Sequence, residues 1–271
     1  MKTSVSLSVF SAPTGMPALF SGGSEKNIAR IKELGYDGVD LFVKDHRAGE
    51  TLDTIALLNK YHLKIGVIMP AALAGQGLFL GSPDSTIREK AIRSISDIIL
   101  LASESEAMVS VGLVRGSKGQ NESLAEFETR FQDSCDKMLK VSGPAGVDLL
   151  IEPINRYEIN TINSVQEGID FLQRTGLPMS LMIDFFHMNI EEVDIEKMLI
   201  LSLPYVKHIH FVDSNRLAPS MGHLDMVRYY RLLEKMGYPG YLCLEVLPGS
   251  NDSDYCAVCG AAFFDRMKES K

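Results

Sequence analysis

Glu152, Asp184, His210 and Glu245 each stand at the C-terminal end of a short apolar run: Val147-Asp-Leu-Leu-Ile-Glu152, Leu181-Met-Ile-Asp184, Lys207-His-Ile-His210 and Tyr241-Leu-Cys-Leu-Glu245. Such runs read as buried strands, and the C-terminal ends of parallel strands closed into a barrel meet at one mouth. Three carboxylates and one imidazole gathered there form a divalent-metal site. Their hard oxygen donors favour Mn²⁺, with Mg²⁺ or Co²⁺ as alternatives, over a thiolate-type zinc site. Taken singly, any of the four reads equally well as a solvated strand-end residue or a helix cap. Taken together, at intervals of 32, 26 and 35 residues, they do not, because an apolar run that ends in a buried charge needs a partner for it. A shared cation is that partner.

Such a shell leaves two positions of an octahedron for substrate oxygens, which a sugar fills through a carbonyl and the neighbouring hydroxyl. A metal so placed polarises the carbonyl, acidifies the adjacent C–H and stabilises the enediolate formed when a base takes that proton. Glu152 and Glu245 are the glutamates available as bases. On opposite faces of the carbon, one removes the proton and the other returns it, which inverts the centre.

The elements that must carry these residues alternate along the chain. Strands are expected near 4–10, 38–43, 63–69, 108–114, 147–152, 181–184, 207–212 and 241–246, separated by amphipathic stretches, a pattern that signals a parallel sheet. Ile87, Ala91, Ile92, Ile95, Ile98 and Ile99 fall on one face of a helix, with Asp84 or Ser85 as its cap. Gly35, Gly176 and Gly237 follow helical patterns, where a left-handed residue closes the last turn. Two Gly-rich loops, Ser11 to Ser24 and Ala71 to Ser85, follow strand ends and so belong at the mouth; the second reads equally as a lid or as a mobile surface loop with no role. At 271 residues the chain suits a single (β/α)8 TIM barrel over 1–271, a fold of about 250 residues.

Composition narrows the partners. The formal net charge is −8, with no basic run, which argues against nucleic acid and for a small soluble substrate. The N-terminus alternates polar and apolar residues instead of forming a secretion signal, and no segment approaches the ~20 apolar residues of a membrane span. A cytoplasmic protein without a membrane partner is expected. Cys135, Cys243, Cys256 and Cys259 are too few and irregular for a disulfide framework, and the Cys256-Ala-Val-Cys259 pair lies in a helical pattern that makes both core residues.

The segment Ile151-Glu-Pro-Ile-Asn-Arg-Tyr-Glu158, followed by Asp184-Phe-Phe-His-Met-Asn-Ile-Glu-Glu192, His208-Ile-His210, Asp213-Ser-Asn-Arg216 and Glu245, resembles the ketose 3-epimerases of the xylose isomerase-like barrel superfamily. The similarity is dense over 108–248 and looser before it. It implies Glu152, Asp184, His210 and Glu245 as metal ligands, Glu152 and Glu245 as the acid/base pair, and His187, Arg216 and Glu158 as groups that hold substrate oxygens. It also implies a sugar substrate and a homodimer or homotetramer. His208, one layer below His210, is expected to have a hydrogen-bonded supporting role or a core role instead of acting as a ligand.

Two positions depart from the common pattern. His223 stands where many tagatose- and psicose-type epimerases have arginine. Arg115 lies at the end of the fourth strand, where a guanidinium suits bidentate recognition of a carboxylate, and with Asp213-Ser-Asn-Arg216 it is similar to the branch that includes 5-keto-L-gluconate epimerase. Arg115 is therefore expected to bind substrate, pointing to a keto-sugar acid. The alternatives are an aldose–ketose isomerase with the same metal and base, and a sugar-binding barrel without turnover. An endonuclease-type multinuclear zinc site needs further ligands that His46 and His62 do not supply.

Overall fold

The computed structural model describes residues 1–270. The strands are β1 (Lys2–Ser8), β2 (Phe20–Ser21), β3 (Gly38–Phe42), β4 (Lys64–Met69), β5 (Met108–Val111), β6 (Leu149–Ile151), β7 (Ser180–Asp184), β8 (Val206–His210) and β9 (Tyr241–Leu244). All pairings are parallel. β1 pairs with β3 on one side, and each strand from β3 onward pairs with the next. β9 closes the ring against residues 2–5 of β1, beyond which β2 covers Leu7 and Ser8 of the same strand. This is the expected (β/α)8 barrel, with the two-residue β2 added inside the first Gly-rich loop.

The helices are α1 (Glu25–Glu33), α2 (Gly49–Lys60), α3 (Ser85–Glu104), α4 (Leu124–Ala145), α5 (Val165–Thr175), α6 (Phe185–Glu191), α7 (Ile195–Ser202), α8 (Met226–Lys235) and α9 (Ser253–Glu269). α3 buries Ala91, Ile95, Ile98 and Ile99, the stripe its spacing predicts, and Asp84 caps it by accepting from the Thr86 amide at 2.7 Å. α4 and α5 begin with reciprocal capping boxes, Ser123 with Glu126 and Ser164 with Glu167, each satisfying two otherwise orphaned amides. Cys256 is buried on α9, Cys259 is half-buried, and all four cysteines are free thiols. Among the described residues no helix is long and apolar enough to cross a membrane.

The strands end where the site begins. β5 stops at Val111, because Gly112 leaves the extended region (φ −96°, ψ −113°) and Leu113–Arg115 tightens into a 3₁₀ turn. The strand predicted to run to 114 is shorter for that reason. On the neighbouring strands, register sets Asp184 of β7 directly beside His210 of β8.

Candidate metal and catalytic site

Asp184 and His210 are the last residues of β7 and β8, and Glu152 and Glu245 follow β6 and β9 by one residue. All four are buried, and one donor atom from each lies within 4.8 Å of the others. His210 Nδ1 is at the centre, 3.4 Å from Glu245 Oε2, 3.5 Å from Glu152 Oε1 and 3.8 Å from Asp184 Oδ2. Asp184 divides its carboxylate between two tasks. Oδ1 caps α6 by accepting from the Phe186 amide at 2.8 Å, while Oδ2 is buried without a hydrogen-bond partner and faces the cluster. Gly112 makes room for Glu152, since a Cβ at that position would lie 2.6 Å from Glu152 Oε2.

The electrostatics favour a cation. Burial opposes charge on Glu245 and Asp184, yet His210 and Arg216 hold Glu245 below the ordinary carboxylate range, and His187, His210 and Arg216 do the same for Asp184. Burial also opposes charge on His210, but Glu245, followed by Asp184, Asp40 and Glu152, raises its pKa well above the usual imidazole value. Buried carboxylates of this density draw in positive charge from whatever source is at hand. Orphaned donor atoms, three carboxylates and one imidazole together fit a divalent ion with oxygen-rich coordination.

Arg216 supplies part of that positive charge. Its Nη2 pairs with Glu245 Oε2 and lies 3.5 Å from Asp184 Oδ2, Nη1 lies 3.6 Å from Glu158 Oε1, and the guanidinium covers the Phe186 ring at 5.1 Å. Its backbone is left-handed (φ 58°), a strain of order 1 kcal/mol that the Arg216 N–Asp213 O and Leu247 N–Arg216 O bonds sustain. His187 is buried beside the cluster, with Nε2 3.8 Å from Asp184 Oδ2 and 4.0 Å from Glu152 Oε1. Asn155 Nδ2 lies 2.8 Å from His187 Nδ1 and donates to Glu158 Oε1 at 2.9 Å. An amide nitrogen can only donate, so when the imidazole is neutral His187 Nδ1 accepts and Nε2 carries the proton toward the site.

Above the cluster opens a cavity of about 490 Å³, within the range of small-molecule sites. Glu152, Glu158, His187, Arg216 and Glu245 line it, and so do Pro13, Gly15, Met16 and Pro17 from the first Gly-rich loop and Ala71, Ala72, Gly75 and Gln76 from the second. The second loop begins with a 3₁₀ helix, Ala71–Gln76.

A family model described as the xylose isomerase-like TIM barrel matches residues 28–256. The chain belongs to this family. It is 30% identical over 233 residues to the D-psicose 3-epimerase of Ruminiclostridium cellulolyticum, covering 80% of this chain and 76% of that protein. It is 25% identical over 230 residues to the 3-dehydro-D-guloside 4-epimerase of Escherichia coli, covering 79% and 84% respectively. The fold is also that of a solved L-ribulose 3-epimerase, with a TM-score of 0.81 at 22% identity, covering 100% of this chain and 95% of that one.

Within this family barrel, Arg115 is not where the sequence places it. It was expected to bind substrate at the mouth; instead it is fully buried in the wall and does not line the cavity. The 3₁₀ turn directs its guanidinium inward, where it donates to the carbonyls of Thr161 (2.8 Å), Glu152 (3.0 Å), Val111 (3.3 Å) and Ile162 (3.3 Å) and to Thr161 Oγ1 (3.2 Å). Burial lowers its pKa to about 10, and the charge of Glu152 acts the other way. Arg115 thus ties the loop after β6, which carries Glu152, to the end of β5. Arg115→Ala should cost about 3–4 kcal/mol in denaturant unfolding, because several buried carbonyls lose a charged donor at once. A loss below about 1 kcal/mol would contradict this reading.

Sequence reasoning also missed Asn155 and Asp40. Asn155 lies inside a motif already singled out, but only its contact with His187 reveals its task. Asp40 carried a usable signal, an acid in the middle of the fully buried strand Gly38-Val-Asp-Leu-Phe42. His223 is exposed on the loop after β8, with Nδ1 2.9 Å from Ser214 Oγ, and does not line the cavity.

Proposed function

We propose that this protein is a divalent-metal-dependent epimerase that inverts the carbon next to the carbonyl of a ketose or keto-sugar. The observation that carries the reading is the buried cluster of Glu152, Asp184, His210 and Glu245 beneath a cavity sized for one small molecule. The names of the relatives support it. A D-psicose 3-epimerase acts at C3 beside a C2 ketone, and a 3-dehydro-D-guloside 4-epimerase at C4 beside a C3 ketone, so the inverted carbon adjoins the carbonyl in both.

Glu152, Asp184, His210 and Glu245 would hold the cation, for which Mn²⁺ is the preferred ion. When bound, it supplies Lewis acidity at the substrate carbonyl and the adjacent hydroxyl. The protein does the rest. Glu152 and Glu245 remove the proton on one face of the carbon and return it on the other. His187 presents its Nε2–H to a substrate oxygen, and Arg216 and Glu158 orient the remaining hydroxyls. Arg216 also steadies the Glu245 carboxylate that it touches.

With Arg115 withdrawn, the reading moves from a keto-sugar acid to a neutral ketose. The cationic residues among those lining the cavity are Arg216, already held by carboxylates, and Lys44 at the rim, packed over the Phe10 ring at 4.7 Å. Much of the remaining lining is apolar or uncharged, as with Met16, Phe42, Met69, Ala72, Leu113 and Ile154. A cytoplasmic location is proposed on the free cysteines and the nature of the substrate.

The reading is tested by NMR of product in D₂O, with Mn²⁺ supplied, across neutral ketoses, ketose phosphates and keto-sugar acids. We expect a ketose product that carries solvent deuterium at the inverted carbon. Inversion without label would indicate bond cleavage or hydride movement, and an aldose product would indicate an isomerase.

A further inference from the structure

Directly beneath the cluster lies a second group of polar side chains. Asp40 of β3 is fully buried, as are His208 and Cys243. Asp40 Oδ2 stands 2.5 Å from His208 Nε2 and 3.4 Å from His210 Nε2, and Oδ1 accepts from Ser4 Oγ at 3.2 Å. Space for this carboxylate is built into the barrel, since a Cβ on Gly66 would come within 2.8 Å of Asp40 Oδ1.

Asp40, His208, His210 and Cys243 have donor atoms within 4.8 Å of one another, but they do not make a second cation site. Asp40 and His208 are already in direct contact, which leaves no room for an ion between them. Burial, then the Asp40 charge, keeps the Cys243 thiol well above its ordinary pKa, so it is not the thiolate that binds metals.

Orientation is the task that fits. A neutral imidazole carries one proton, and the partner of one nitrogen decides which lone pair is left for a metal. His210 Nε2 makes no hydrogen bond in the structure and lies 3.4 Å from Asp40 Oδ2, while Nδ1 lies within 4 Å of Glu152, Asp184 and Glu245. We propose that Asp40 is a positioning residue for the metal site: its carboxylate holds the His210 proton on Nε2 and so directs the Nδ1 lone pair at the cation. His208 fixes the Asp40 rotamer by donating to the same oxygen. The inference rests on the metal reading above.

The test compares the whole protein, stripped of metal by chelation, with Asp40→Asn by calorimetric titration of Mn²⁺. Asparagine keeps the size but offers an N–H as readily as an oxygen, and affinity should fall about 10–100-fold. A Kd within about threefold of wild type in the folded variant would overturn the proposal. A second measurement does not depend on the variant folding. In wild-type protein loaded with diamagnetic Zn²⁺ and labelled with ¹⁵N-histidine, His210 should carry its proton on Nε2, and a proton on Nδ1 overturns the assignment. This measurement also separates orientation from the mere loss of one negative charge. Failure of wild type to bind either metal would sink the metal reading and this inference together. Normal binding with the wrong tautomer or undiminished affinity would sink the inference alone.

Discussion

Glu245→Gln should reduce epimerase turnover about 10²- to 10⁴-fold, the range expected for a lost general acid/base. Glu245 is buried, held ionised by His210 and Arg216, and paired with the Arg216 guanidinium. Glutamine keeps an oxygen for Arg216 but cannot take a proton. If Glu152 serves one face of the carbon and Glu245 the other, the variant should still exchange deuterium into the sugar epimer whose proton Glu152 removes, without inverting it. Glu152→Gln should show the opposite preference. Metal content must be measured alongside, since both residues belong to the cluster. Loss of exchange from both epimers in a fully metal-loaded variant would refute the two-face assignment, and so would turnover within about tenfold of wild type.

Asp184→Asn and His210→Ala should each weaken Mn²⁺ binding by about 100-fold or more, at least the loss seen when only the supporting shell of such a site is changed. Asp184→Asn is the cleaner of the two. The oxygen that caps α6 survives in asparagine, while the unpartnered Oδ2 that faces the cluster becomes an uncharged group. The metal-free variant should therefore fold. Wild type at about 100 times its Kd for Mn²⁺ should gain about 2.7 kcal/mol, visible as a rise of several degrees in Tm. The variants should show no comparable rise at that Mn²⁺ concentration. An equal rise in both variants would remove Asp184 and His210 from the metal site.

Some of this was readable from the chain alone, and the reason is local. A parallel barrel strand buried on both faces is a short apolar run, and its C-terminal end marks the mouth wherever the strand sits in the ring. The eight barrel strands, the stripe of α3 and its Asp84 cap follow from periodicity and end chemistry, which depend on neighbours within a few residues. The same logic brought Glu152, Asp184, His210 and Glu245 to one place. The capping boxes at Ser123 and Ser164 were equally local and could have been read from their Ser-x-x-Glu spacing.

The tertiary structure decided what depends on direction beyond a strand end and on partners far along the chain. Arg115 sits four residues past the last residue of β5, and its inward course is set by the Gly112 backbone and by acceptors at Thr161, which is 46 residues away. Nothing in its own neighbourhood distinguishes a guanidinium aimed at substrate from one that braces a loop. Asp40 meets His208 across 168 residues of sequence, a contact made only because closing the barrel turns both side chains to the same interior space. The sequence by itself thus determined which residues reach the mouth, because strand ends are local features. Ring closure and the turns beyond the strands determined which of them face the cavity and which hold the others in place.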